Sequence, residues 1–195
     1  MWLPDALVAH LRTIHPLSAE ALHQMRPLFS RRTLARREHF AVAGTRQRTV
    51  GLLEEGYVRA YYTTADGKEY NKHLFIGPAI IGDYASLITG LPVELPQQSL
   101  SDCVVWVAEY HAVTELEPRL PELVQFHRRF AEAMYLEKER RELQLATQPA
   151  AERYADFRRQ FPGIEDHLPQ YEIAAYLGIT PTQLSRIRAR LDLCT

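Results

Sequence analysis

Hydrophobic positions change their period twice along this chain. Over residues 3–29 they recur at helical spacing, with Leu7, Leu11 and Ile14 on one face, until Pro16 interrupts the run. Ser18 then stands where the N-cap of a second helix, 19–25, is expected. From about Thr33 to Tyr110 the pattern is that of short strands: segments 50–53, 57–63, 70–75 and 104–107 are rich in β-branched and aromatic residues. Turn residues bound them at Glu55-Gly56, Ala65-Asp66-Gly67, Gly77-Pro78 and Gly82-Asp83, and Asp66-Gly67 is the strongest hairpin signal. Many short, evenly spaced strands predict a small antiparallel roll or barrel whose interior holds one small ligand.

The helical period returns over residues 114–148, broken early by Pro118 and Pro121. Leu123, Phe126 or His127, Phe130 and Met134 recur every three or four residues, whereas 137–142 is charged on nearly every face. So long an apolar stripe needs cover, and the same helix of a second copy supplies it most simply. Leu123, His127, Phe130 and Met134 are therefore expected at a homodimer interface. The alternative is that the stripe packs on the chain's own roll. Gln148-Pro149-Ala150 reads as a hinge, and 151–161 as a helix closed by Pro162-Gly163.

Residues 170–190 carry two short amphipathic helices around a turn. Ile173, Ala174 and Leu177 form the inner face of the first, and Leu184, Ile187 and Leu191 that of the second. Gly178 sits where a left-handed backbone ends the first helix, and Ala174 leaves room for a steep crossing. Thr180, Pro181 and Gln183 read as N-cap, first helical residue and capping-box partner of the second. This is the pattern of a helix-turn-helix, with Arg186, Arg188 and Arg190 on the helix expected in a DNA major groove. A plain helical hairpin with solvated arginines is the competing reading.

Composition adds little against this. The 195 residues are 46% hydrophobic and 24% charged, the range of a soluble globular protein, and the net charge of −1 requires any basic surface to be local. The cluster Arg31, Arg32, Arg36 and Arg37 lacks interleaved aromatics and reads as a solvated face. Two distant cysteines, Cys103 and Cys194, suit a reducing cytoplasm, and neither a secretory leader nor a membrane-length apolar run is evident. No cysteine precedes Cys103 to build an iron–sulfur cluster, and the eight histidines include no H-x-x-x-H pair; His73 or His111 as a haem ligand is the weaker reading beside an ordinary histidine. No nucleophile elbow, phosphate-cradling glycine loop or metal cluster is present. The expectation is a non-enzyme without cofactor or metal.

The order of these parts resembles the Crp/Fnr family of bacterial transcriptional regulators over nearly the whole chain. The resemblance is carried by Gly56-Tyr57-Val58-Arg59, Asp66-Gly67-Lys68-Glu69, Phe75-Ile76-Gly77-Pro78, Gly82-Asp83, Glu152-Arg153-Tyr154, and the closing segments 173–180 and 184–187. It implies an α+β protein in three parts. Residues 1–113 form an N-terminal antiparallel, jelly-roll-like β-roll with flanking helices, like a cyclic nucleotide-binding domain; 114–148 form a long dimerisation helix; 149–195 form the helix-turn-helix domain. It also implies a cytoplasmic homodimer that binds a two-fold-related site on double-stranded DNA, with RNA polymerase and an unidentified small-molecule effector as further partners and no membrane. The DNA-contacting positions implied are Gln170, Tyr171, Thr180, Thr182, Gln183, Ser185, Arg186, Arg188 and Arg190. Arg186 is expected on a guanine, Arg188 on phosphate, and Gln183 either on adenine or in the capping box.

Two departures sharpen these expectations. The effector pocket maps to Gly82, Asp83, Ser86, Gln97, Gln98 and Ser99, where Asp83 replaces the family's glutamate and the phosphate-binding arginine is missing: no lysine or arginine occurs from His73 through Pro118. A phosphodiester without a cationic partner loses about 1.5–3 kcal/mol, so no response to cyclic AMP or cyclic GMP is expected. The sequence also runs only to Thr195, so the β-hairpin wing that often follows the recognition helix is expected to be missing. A ligand-binding roll whose C-terminal domain contacts protein instead of DNA is the alternative function.

Overall fold

The computed structural model describes residues 3–192; Cys194 lies outside them, as does the side chain of Leu191. The chain forms two compact units, residues 3–60 with Leu74–Met134, and Tyr61–His73 with residues 135–192.

The first unit opens with α1 (Asp5–Ile14) and α2 (Ala19–Met25). Ser18 caps α2, its side chain accepting from the Ala21 amide. Eight strands follow: β1 (Ser30–Leu34), β2 (His39–Ala41), β3 (Thr49–Glu55), β4 (Tyr57–Thr63), β5 (Glu69–Ile76), β6 (Ala79–Ile81), β7 (Gln97–Ser99) and β8 (Cys103–Glu109). They make two four-stranded sheets, ordered β1-β8-β3-β6 and β2-β7-β4-β5, with antiparallel pairing throughout the registers that follow from β1–β8, β3–β8, β3–β6, β2–β7 and β4–β7. The α+β architecture is as read from the sequence. Strands β2, β6 and β7 are three residues long, too short for alternation to reveal, and two helical turns, α3 (Tyr84–Thr89) and α4 (Tyr110–Thr114), interrupt a region read as strand and turn.

Alternation sends neighbouring side chains to opposite cores. On β3, Leu53 joins Phe40, Val58, Ala60, Ile81 and Val105 inside the roll, while Leu52 joins Trp106, Ala108, Leu7 and Leu11 beneath the N-terminal helices. Each fully buried apolar side chain of this kind contributes about 1.5–3 kcal/mol. The arginine cluster is solvated as expected, on exposed β1 and the turn after it, with Arg32 paired to Glu38 at 2.6 Å.

Helix α5 (Pro121–Thr147) enters this second core. Leu123 and Phe126 are buried in it, and His127, Phe130 and Met134 line a cavity beside it. The expected dimer-interface residues Leu123, His127, Phe130 and Met134 therefore face the chain's own core. Period locates a stripe but not the surface that meets it.

The second unit contains the remainder of α5, then α6 (Ala150–Gln160), α7 (Gln170–Leu177), α8 (Pro181–Asp192) and the β4–β5 hairpin tip. Helix α6 starts one residue before the expected boundary because the Pro149 carbonyl already accepts from Glu152 and Arg153. Phe157, Phe161 and Tyr176 stack with centroids 5.3–5.7 Å apart, over Ile164, Ile173, Leu177 and Leu184. Ala174 is fully buried where α7 passes α8. No helix of the described residues is long and apolar enough to cross a membrane.

Candidate nucleic-acid interface and ligand cavity

Local chemistry fixes the turn between α7 and α8. Gly178 takes φ 67°, a left-handed conformation that a side chain disfavours, and its amide returns to the Ala174 carbonyl. The Thr180 amide donates to Gln183 Oε1 at 2.9 Å and the Gln183 amide to Thr180 Oγ1 at 3.2 Å, closing a reciprocal capping box. With Oε1 so engaged, Gln183 offers its Nε2 outward as a donor.

Beyond the cap, Thr182, Ser185, Arg186, Ala189 and Arg190 are all exposed, at the i, i+3, i+4, i+7, i+8 spacing of one helical face. Neither Arg186 nor Arg190 makes an ion pair among the described residues. Thr180 and Tyr171 are exposed and Gln170 is half-buried at the start of α7. Arg188 is different. Its Nε donates to the Tyr154 hydroxyl at 3.1 Å and its Nη2 to Glu165, and Tyr154 in turn donates to Glu165 at 2.6 Å. It is held inward, which corrects its expected role on phosphate: two residues from both Arg186 and Arg190, about 200° of helix rotation, puts it on the side that meets α6.

Several residues build this unit through pairings that the sequence did not signal. Arg153 donates Nε and Nη2 to the Leu177 carbonyl at 3.1 and 3.0 Å and so closes the end of α7. Arg141 of α5 stacks 4.1 Å over the Tyr176 ring and donates to its carbonyl; burial depresses its pKa. Asn71 on β5 donates to both the main-chain oxygen and the carboxylate of Glu172, at 2.9 and 2.8 Å. All three pairings join positions far apart in sequence.

In the first unit, the polar residues expected to form an effector pocket bond to the protein itself. Gln97 Oε1 accepts from the Gly82 amide at 2.8 Å, Ser86 donates to the Leu91 carbonyl at 2.6 Å and accepts from the Gln47 amide, and Ser99 donates to the Ala35 carbonyl. Asp83 is buried at the start of α3 without a side-chain cap bond. A cation does reach this region, from a distant strand. The β4–β7 register sets Arg59 opposite Gln98, and its Nη2 donates to Gln98 Oε1 at 2.8 Å. Arg59 alternates with Val58 and Ala60, which face the roll interior, so its side chain lies on the opposite face of the strand, where it is buried.

Free space lies elsewhere. A cavity of about 70 Å³ is enclosed by α1, β3, β6, α3, α4 and the first half of α5, with apolar side chains on most of its wall. Of the roll residues expected around an effector, only Gly82 lines it among the described residues.

No protein-family model matches the sequence, and no curated protein does. Solved structures match over most of the chain. The chain has the fold of the Crp/Fnr regulators. The c-di-GMP-responsive global regulator CLP of Xanthomonas campestris superposes with a TM-score of 0.73 at 15% identity, covering 90% of this chain and 92% of that one. FixK2 of Bradyrhizobium japonicum gives 0.70 at 18% identity over 85% of each chain. The catabolite activator protein of Thermus thermophilus gives 0.54 at 22% identity, over 92% of this chain and 85% of that one. At these identities the likeness is one of fold, and those neighbours are transcriptional regulators.

Proposed function

We propose that the chain is a DNA-binding transcriptional regulator of the Crp/Fnr type, which acts as a homodimer and does not answer to cyclic AMP or cyclic GMP. The observation that carries the reading is the exposed face of α8, where Thr182, Ser185, Arg186 and Arg190 stand clear of the protein beyond a closed capping box. Arg186 is the base reader in this proposal, since a guanidinium donates to guanine O6 and N7 together. Arg190, a turn further on, supplies phosphate contact.

The second copy covers the outward face of α5. Tyr135, Leu136 and Leu143 are 59%, 66% and 62% exposed, and Leu136 and Leu143 are two turns apart on one face. Self-satisfied Gln97 and Ser99, with Arg59 on the opposite face of its strand and bonded to Gln98, support indifference to cyclic nucleotides, because residues 73–118 offer a buried phosphodiester no lysine or arginine.

Selection of bound sequences from a random DNA pool, followed by affinity against salt, tests the reading. The expected result is one two-fold-related site and a log–log slope of about −0.9 per phosphate neutralised. Failure to enrich any sequence, with no salt-dependent binding, assigns the C-terminal domain to protein contacts.

A further inference from the structure

The cavity beside α5 has a chemistry the roll interior lacks. Among the described residues that line it there is no lysine, arginine, aspartate or glutamate; the polar ones are Tyr84, Tyr110 and His127. The two tyrosine rings meet edge-on at 6.2 Å, and burial, with Tyr84 beside it, pushes the Tyr110 ionisation well up. His127 Nδ1 is 2.6 Å from Glu117 Oε1. With Nδ1 taken, only Nε2 is left for another group, as an acceptor in the neutral ring and a donor in the protonated one. A hydroxyl satisfies either state.

We propose that this cavity binds a small, uncharged, mainly apolar molecule carrying one hydroxyl group, with His127 as the residue that reads the hydroxyl. Size sets the class. A volume of about 70 Å³ is roughly half of the 150 Å³ that admits benzene, so the occupant has only a few non-hydrogen atoms. Polarity sets it too, because an anion or cation placed here gives up its hydration with no opposite charge on the wall. A fitting occupant restores the packing contacts that the apolar part of the lining forgoes. Helix α5 contributes Phe126, His127, Phe130 and Met134 to the wall and continues as one helix into the unit that carries α8. As a signal input the site rests on the regulator reading above; as a binding site it does not.

The chain has three methionines, and two of them, Met25 and Met134, line the cavity. Methyl-labelled full-length protein is titrated with xenon, with 1-propanol, and with propionate as the charged molecule of matching size. Saturable shifts of the Met25 and Met134 methyls with xenon and propanol, an unmoved Met1 signal, and no saturable response to propionate are expected. His127→Phe keeps the xenon response and weakens propanol by about five-fold, the worth of one hydrogen bond. Leu87→Phe fills the space and removes both responses; if it does not fold, the wild-type titration decides alone. Absence of saturable shifts at Met25 and Met134, or propionate acting as well as propanol, overturns the site. DNA affinity is measured separately: shifts without DNA binding remove the regulator reading and leave the site, whereas DNA binding without shifts removes the site alone.

Discussion

The side-chain amide of Asn71 donates to both the main-chain oxygen and the carboxylate of Glu172, 101 residues later in the chain. Both residues are buried, at 4% and 2% exposure, so the bonds form away from competing water. One comes from the β4–β5 hairpin and the other from α7. The hairpin tip is thereby part of the unit that carries α8, although in sequence it belongs to the roll.

Replacing Asn71 with alanine removes one bond from a buried carboxylate and one from the main-chain oxygen of the same residue. The expected loss is about 1–3 kcal/mol of stability, read as a lower urea midpoint at unchanged slope. An unchanged midpoint means that Glu172 finds other partners at no cost.

Arg186 and Arg188 are two residues apart and have opposite expected phenotypes. Arg186→Ala leaves thermal unfolding unchanged and lowers DNA affinity by about 1–3 kcal/mol, with relaxed preference at one base pair. Arg188→Ala loses its bonds to Tyr154 and Glu165 and lowers stability by about 1 kcal/mol, a figure reduced for its partial exposure. Reversal of the two, by unfolding and by footprinting, contradicts the assignment of the outward face.

Gln183→Glu separates capping from reading. A glutamate keeps the capping box and suits the positive end of the helix, so stability holds within about 0.5 kcal/mol. The outward donor is lost, and the base preference opposite this position changes in sequence selection. An identical selected site removes Gln183 from the readout.

Leu136→Glu places a charge on the outward face of α5, where the native side chain is 66% exposed. The monomer keeps its fold, because no core contact is lost, and the dimer dissociates at concentrations where the native protein is paired. Sedimentation velocity distinguishes the two. An unaltered sedimentation coefficient places the subunit interface elsewhere.

Much of this molecule was legible in one dimension because its signals are local. Gly178, Thr180 and Gln183 act on backbone within four residues of themselves, so the turn between α7 and α8 and the cap of α8 could be read directly. Asp66-Gly67 gave the hairpin in the same way, with Gly67 at φ 80°. The exposed face of α8 follows from the 3.6-residue period alone.

Partnership was decided by the fold. The period of α5 gave a stripe at Leu123, His127, Phe130 and Met134, but only packing showed that Leu123 enters the core beneath the N-terminal helices and that the other three line a cavity beside it. The absence of lysine and arginine between His73 and Pro118 was plain in the sequence, yet strand register carried Arg59 to Gln98, and alternation put it on the face opposite the roll interior. Arg188 looked like its neighbours until Tyr154 and Glu165, on other elements, held it in. Conformation at a turn or cap depends on residues a few bonds apart, and the sequence by itself determined those; which face meets which depends on contacts that chain order does not encode, and only the tertiary structure decided them.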